Sequence, residues 1–201
     1  RAVALNLLVS LITVLAALAT RLINGFSLPP AQTFHILGGL IAGACISAYF
    51  GAGWASKLSH SRLKLAVLVL LTGIGLLMLI EAFLPENPLG LIPQLPLLET
   101  AAAFTFGLLI GLVSSMLGVA GGELLIPTLV FAFGLGVKTA GTGAMFVSLP
   151  VIIVGLLRYA RLGSFPNRQE LLGLALPMGI GSIIGAVIGG LLVGLVGTTL
   201  L

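Results

Sequence analysis

Five runs of this sequence carry no charged residue and approach or exceed the length needed to cross a bilayer: Ala2–Thr20, Ile36–Ser56, Leu65–Ile80, Thr139–Leu157 and Leu171–Leu201. A helix takes roughly 20 residues to cross the hydrocarbon layer. Backbone polar groups there must satisfy one another, which leaves helices and closed barrels as the spanning structures. Barrel strands alternate polar and apolar residues over about ten positions, and these runs do not alternate. The pattern therefore predicts an all-α integral membrane protein. Composition agrees: 59% of residues are hydrophobic and 7% charged, against roughly 25% charged in soluble domains, so a water-facing surface cannot be built. Ala2–Thr20 has no basic stretch before it and no small-residue cleavage site, and further spans follow it, so it does not read as a signal peptide. The net charge of +4 is spread between the runs and reads as an orientation signal, not a nucleic-acid footprint. A single cysteine, Cys45, excludes an internal disulfide.

The loops set an orientation. Lys57, His60, Arg62 and Lys64 make one connection basic, and Arg158, Arg161 and Arg168 do the same for another. Both are expected to face the cytoplasm. Between them, residues 81–99 hold Glu81, Glu86 and Glu99, no Lys or Arg, and Pro85, Pro88, Pro93 and Pro96. This stretch reads as external, with residues 85–99 as a linker between two halves. Trp54 and Tyr49, near a helix end, read as interface anchors.

From Thr100 to Val137 the only charge is Glu123, within GVAGGELLIP (118–127). One helix over that length would measure about 57 Å at 1.5 Å per residue, nearly twice the hydrocarbon thickness. To leave from and return to the outer side, the segment must cross an even number of times. Gly118, Gly121 and Gly122 supply a turn, and Pro127 suits the first turn of a new helix. Two short arms meeting at GVAGGE are expected, re-entrant or barely spanning.

The chain also repeats itself at an offset of 138 residues, which pairs Ser10 with Ser148, Gly25 with Gly163, Gly43 with Gly181, Ser47 with Gly185 and Gly51 with Gly189. An odd number of crossings separates equivalent positions, so the repeats are expected to be inverted, with broken helices near the midplane, a recurrent design of secondary transporters. On this reading, residues 1–84 are a partial first repeat whose Gly-rich segment falls upstream, and residues 100–201 a second repeat whose last helix falls downstream.

GLLIGLVSSMLGVAGGELLIPTLV (107–130), KTAGTGAMFVSLP (138–150) and MGIGSIIGAVIGG (178–190) resemble the sulfite exporter TauE/SafE family of anion transporters. Residues 2–18 carry a weaker likeness. The resemblance implies two related halves in the cell membrane moving sulfur-containing anions such as sulfite, thiosulfate or sulfonates. Ala120 stands where the common pattern has the first of three consecutive glycines.

The residues themselves suit an anion. A half-helix starting after Gly118 presents the N–H groups of Ala120, Gly121, Gly122 and Glu123 and the positive end of its dipole. Thr142 and Ser148, with Asn6 and Ser10 as first-repeat candidates, offer hydroxyl and amide donors without charge. Close helix packing for the glycines and carbonyl bonding for the hydroxyls are the competing structural uses. Glu123 has two readings: a helix-start carboxylate held by the dipole, or a proton-coupling group that repels the anion when ionised and admits it when protonated. Arg158 and Lys138 are its candidate partners, although Arg158 reads first as an orientation signal. His35 and His60 lack metal-ligand spacing, and no metal or cofactor is expected. The partners implied are a small anion, the bilayer and protons. An anion channel is the alternative function. An intramembrane enzyme stands third, since the chain has no HExxH, no Ser–His arrangement and no Asp.

Overall fold

The computed structural model describes residues 2–23, 33–55, 92–93, 95, 96–118, 121–163, 167, 169 and 171–195, with positions 65, 68, 69, 72, 73, 76 and 79. The described residues form α1 (Ala2–Ile23), α2 (Phe34–Ala55), α3 (Pro96–Leu117), the short α4 (Gly122–Pro127), α5 (Val137–Arg161) and α6 (Leu176–Leu195). A wider π-helical turn, Thr128–Ala132, continues α4, and another, Leu171–Ala175, leads into α6. Among the described residues, five helical stretches are long and apolar enough to cross a membrane: Ala2–Ile23, Phe34–Gly53, Pro96–Met116, Val137–Arg161 and Leu171–Leu192. Positions 65, 68, 69, 72, 73, 76 and 79 are helical and exposed. The chain is thus a multi-pass helical membrane protein, as its apolar runs require.

Helix packing rests on small residues. Lipid is as apolar as the helices, so close backbone approach, not hydrophobic expulsion, holds them together. On α2, a Cβ added to Gly39 would stand 2.8 Å from the Thr100 carbonyl oxygen, and one on Gly43 would run into the backbone of Phe104. From α3, Gly107 and Gly111 make the same approach to Leu40 and Ala44. The two helices run parallel, since Gly39 meets Thr100 and Gly51 meets Leu112 and Ser115. Their other faces join α4 and α5 in the main apolar core, around Leu40, Leu125, Leu129 and Val147.

At the first turns of these two helices, His35 Nε2 and Glu99 Oε2 lie 2.7 Å apart, with side chains 32% and 12% exposed. Glu99, expected in the external linker, belongs to the first turn of α3, which Pro96 opens. Glu99→Ala is expected to destabilise the protein by about 1–3 kcal/mol, the cost of leaving a partly buried polar partner unsatisfied. An unchanged melting temperature in detergent would show that the pair adds nothing to the α2–α3 contact.

The remaining helix directions follow from contacts at both ends. α1 is antiparallel to α5: Arg21 reaches Lys138 and Thr142, while Leu7 lies beside Gly155. α1 is parallel to α6, through Ile12 at Gly179 and Thr20 at Gly190. α2 and α5 are parallel, through Leu37 at Gly143 and Tyr49 at Arg158. The Ala55 end of α2 and the Arg161 end of α5 therefore lie on the same side of the bundle.

The broken segment differs from expectation in its proportions. Its first arm, α3, has 22 residues, enough to span, whereas Gly122–Ala132 is a short apolar helix. Pro127 is the last of the six α4 residues rather than part of the first turn. Without an N–H it cannot bond back to Glu123, and the helix widens into the π turn directly after it.

Candidate functional site

The α3–α4 hairpin is built by two glycines in the left-handed region. Gly118, at φ 71° and ψ 30°, caps α3 and donates its N–H to the Ser114 carbonyl at 2.9 Å. Its carbonyl accepts a 2.7 Å hydrogen bond from Asn6 Nδ2, and a Cβ there would lie 2.7 Å from a Val3 methyl. α1 thus clamps this glycine in place. Gly121, at φ 78°, begins α4, and its carbonyl accepts from the N–H groups of Leu124 and Leu125. A Cβ on Gly121 would make ordinary contact with Ser114, whereas one on Gly122 meets no described atom within 4 Å. Ala120 lies outside the described residues.

The glycines therefore divide. Gly118 is a packing residue, Gly121 is required by its backbone angle, and no described atom covers the start of α4 at Gly122. Glu123 follows it, exposed, in the first turn. Among the described residues, no cationic side chain lies within ion-pair distance of Glu123. Arg158, one of its expected partners, is engaged elsewhere: Nη1 donates to the Tyr49 hydroxyl at 3.1 Å and Cζ stands 4.4 Å from the centroid of the Tyr49 ring. Tyr49, expected as an interface anchor, is thereby a support for Arg158.

The other expected donors are spread along the bundle. Asn6 meets the hairpin, and Ser10 follows one turn further along α1. Ser148 is buried about halfway along α5. Thr142 lies near the other end of α1, where its Oγ1 accepts from Arg21 Nη1 at 2.8 Å and donates to the Lys138 carbonyl at 3.1 Å. Arg21 and Asn6 are 15 residues apart on one helix, about 22 Å at 1.5 Å per residue. Thr142 is therefore not brought to the glycine turn. Its hydroxyl links α1 to α5.

The structure adds residues that spacing did not reveal. Ser114 and Ser115, both buried, lie one turn before Gly118, and Ser114 is the neighbour of Gly121. Tyr159 donates its hydroxyl to the Ser115 carbonyl at 3.0 Å, tying the end of α5 to the end of α3. This places the hairpin level with the Arg158–Tyr159 end of α5. The paired serines immediately before GVAGG were the available local signal. Tyr159 had none, because its partner is 44 residues away.

A glycine-broken hairpin set against spanning helices is a feature that many membrane transporters share. The chain belongs to the sulfite exporter TauE/SafE family, whose sequence model matches residues 1–201, the whole chain. That family comprises membrane exporters of sulfite and related anions. No curated protein and no solved structure matches the chain.

Proposed function

We propose that this protein is a secondary transporter of the cell membrane that moves sulfur-containing anions by alternating access of two inverted repeats. The observation that carries the reading is the open start of α4: Gly122 leaves backbone approachable, the helix dipole favours an anion, and Ser114 stands beside Gly121. Backbone N–H groups of Gly121 and Gly122 receive the oxyanion, while Gly118 and Asn6 hold the turn. Ala120, Ser10 and Ser148 remain proposed contacts from the sequence pattern.

The inverted arrangement has geometric support. The 138-residue offset carries Arg21 to Tyr159 and Thr142 to Ala4. Arg21 bonds Thr142, and Tyr159 shares a buried cluster with Ala4. The end of each equivalent helix thus packs on the start of the other, as a two-fold axis in the membrane plane requires. The small-residue stripe is used unequally: Gly43 and Gly51 pack on α3, whereas Gly181 and Gly189 meet no described atom within 4 Å.

Glu123 is the proton-coupling group in this reading. A proton there removes charge beside the anion, so proton and anion affinities change by one common factor. Purified protein in proteoliposomes, offered sulfite, thiosulfate, sulfonates and carboxylates with and without a pH gradient, tests the proposal. The wild type is expected to accumulate a sulfur oxyanion against its gradient, which a channel cannot do. Glu123→Gln should bind the anion without pH dependence and lose gradient-driven accumulation. Concentrative, pH-dependent transport by that variant would reduce Glu123 to a helix-start residue.

A further inference from the structure

Arg158 lies within a membrane-spanning helix, three residues before the end of α5. A guanidinium in such a place is costly unless its donors are used. Two of its features are accounted for: the ring of Tyr49 faces its cationic carbon, and the Tyr49 hydroxyl accepts from Nη1. Its Nε is not. That atom is buried and has no hydrogen-bond partner, the only such side-chain nitrogen or oxygen among the described residues. Nor, among the described residues, does a carboxylate lie within ion-pair distance of Arg158. A buried donor without an acceptor is retained at a cost in stability, and a charged one at a larger cost.

The side chain stands at the end of the bundle that carries the glycine turn. Its chain neighbour Tyr159 bonds Ser115, three residues before Gly118, and the residue beside the guanidinium on α2 is Gly53, where a Cβ would lie 3.6 Å from Nη2 and 4.0 Å from Nε. Tyr49 fixes Nη1, so the edge formed by Nε and Nη2 points away from that contact. This edge has the side-on geometry that binds two oxygens of one oxyanion.

We propose that Arg158 is an anion-binding residue, its Nε–Nη2 edge receiving a sulfur oxyanion on the side of the membrane to which the basic loops belong. The inference rests on the anion-transport reading and adds to it a second contact point, distinct from the backbone of Gly121 and Gly122. Since Nε is closed off in this conformation, the anion reaches it when the adjoining ends of α2 and α5 part. The positive charge satisfies the orientation rule, but orientation alone does not require the planar fork. Lysine would serve that purpose equally.

Arg158→Lys separates the two roles, because it keeps the charge that orients the chain and removes the fork. With sulfite as the probe, isothermal titration of purified protein in nanodiscs is expected to show affinity at least tenfold weaker than wild type, at unchanged topology and melting temperature. Wild-type affinity in Arg158→Lys overturns the proposal. Should that variant fail to fold, the wild type supplies the measurement: methanesulfonate, which does not react with the reagent, should slow phenylglyoxal modification of Arg158, read by peptide mass spectrometry, and absence of protection overturns the proposal equally. A wild-type protein that binds no sulfur oxyanion overturns the transport reading and this inference with it. Binding that is unaffected by Arg158→Lys overturns the inference alone.

Discussion

Gly43→Leu is expected to leave no cooperatively folded protein. The glycine sits where α2 and α3 touch backbone to backbone, and even a Cβ would run into the Phe104 carbonyl and the Leu108 amide. Neither atom is the tip of a flexible side chain, so relief requires the helices to separate. Separation would also lift Gly39 from Thr100 and Gly107 from Leu40. Overpacking in a tight core commonly costs about 1–3 kcal/mol, and a backbone clash at a helix crossing belongs at or above the top of that range. Lipid offers no compensating drive to hold the helices together. The control is Gly185→Leu on α6, where no described atom lies within 4 Å of the added Cβ. Size-exclusion profiles and thermal melts in detergent compare them. A Gly43→Leu protein that melts like the wild type would mean that α2 and α3 do not cross as described.

Gly122→Val is expected to fold and to lose transport. The position has ordinary negative φ and no described atom within 4 Å of an added Cβ, so a branched side chain is accommodated. That side chain would cover the N–H groups at the start of α4. Losing one hydrogen bond to a charged group is worth about 1.5–3 kcal/mol, or roughly a 10- to 100-fold fall in anion affinity. The neighbouring glycines behave differently. Valine at Gly121 or Gly118 must adopt φ near +78° or +71°, a strain of about 1–2 kcal/mol for an L-residue, and at Gly118 it also meets Val3. Those variants should lose stability before they report on binding. Anion titration and melting temperature measured together separate the outcomes, and a folded Gly122→Val protein with wild-type affinity would remove the backbone site from the mechanism.

The contrast among these glycines shows how far a local pattern reaches. GVAGGELLIP announces a break, because glycine permits left-handed turns and proline interrupts a helix wherever they occur. It does not announce which glycine faces a neighbour, since that depends on α1 lying against Gly118. Asn6 and Thr142 illustrate the same limit. Both looked like uncharged donors to an anion, yet Asn6 holds the turn and Thr142 joins α1 to α5 near the other end of the bundle. Arg158, read as an orientation charge, acquired its other property only from the placement of Tyr49 and the isolation of Nε.

By itself the sequence determined the solvent, the placement of four of the apolar spans, and the glycine turn at which the Thr100–Val137 segment must break, but not that the arm before that turn is itself long enough to span. Each of these is a sum over neighbouring residues: hydrophobicity accumulated over a helix length, or a backbone preference exercised in place. Tertiary structure decided the helix directions, the glycine-to-backbone seam of α2 and α3, the His35–Glu99 pair, and the company each polar side chain keeps. Asn6 and Gly118 are 112 positions apart, Arg21 and Thr142 121, and Tyr49 and Arg158 109. Contacts at such separations exist only once small-residue faces have set how closely, and in what register, the helices pack.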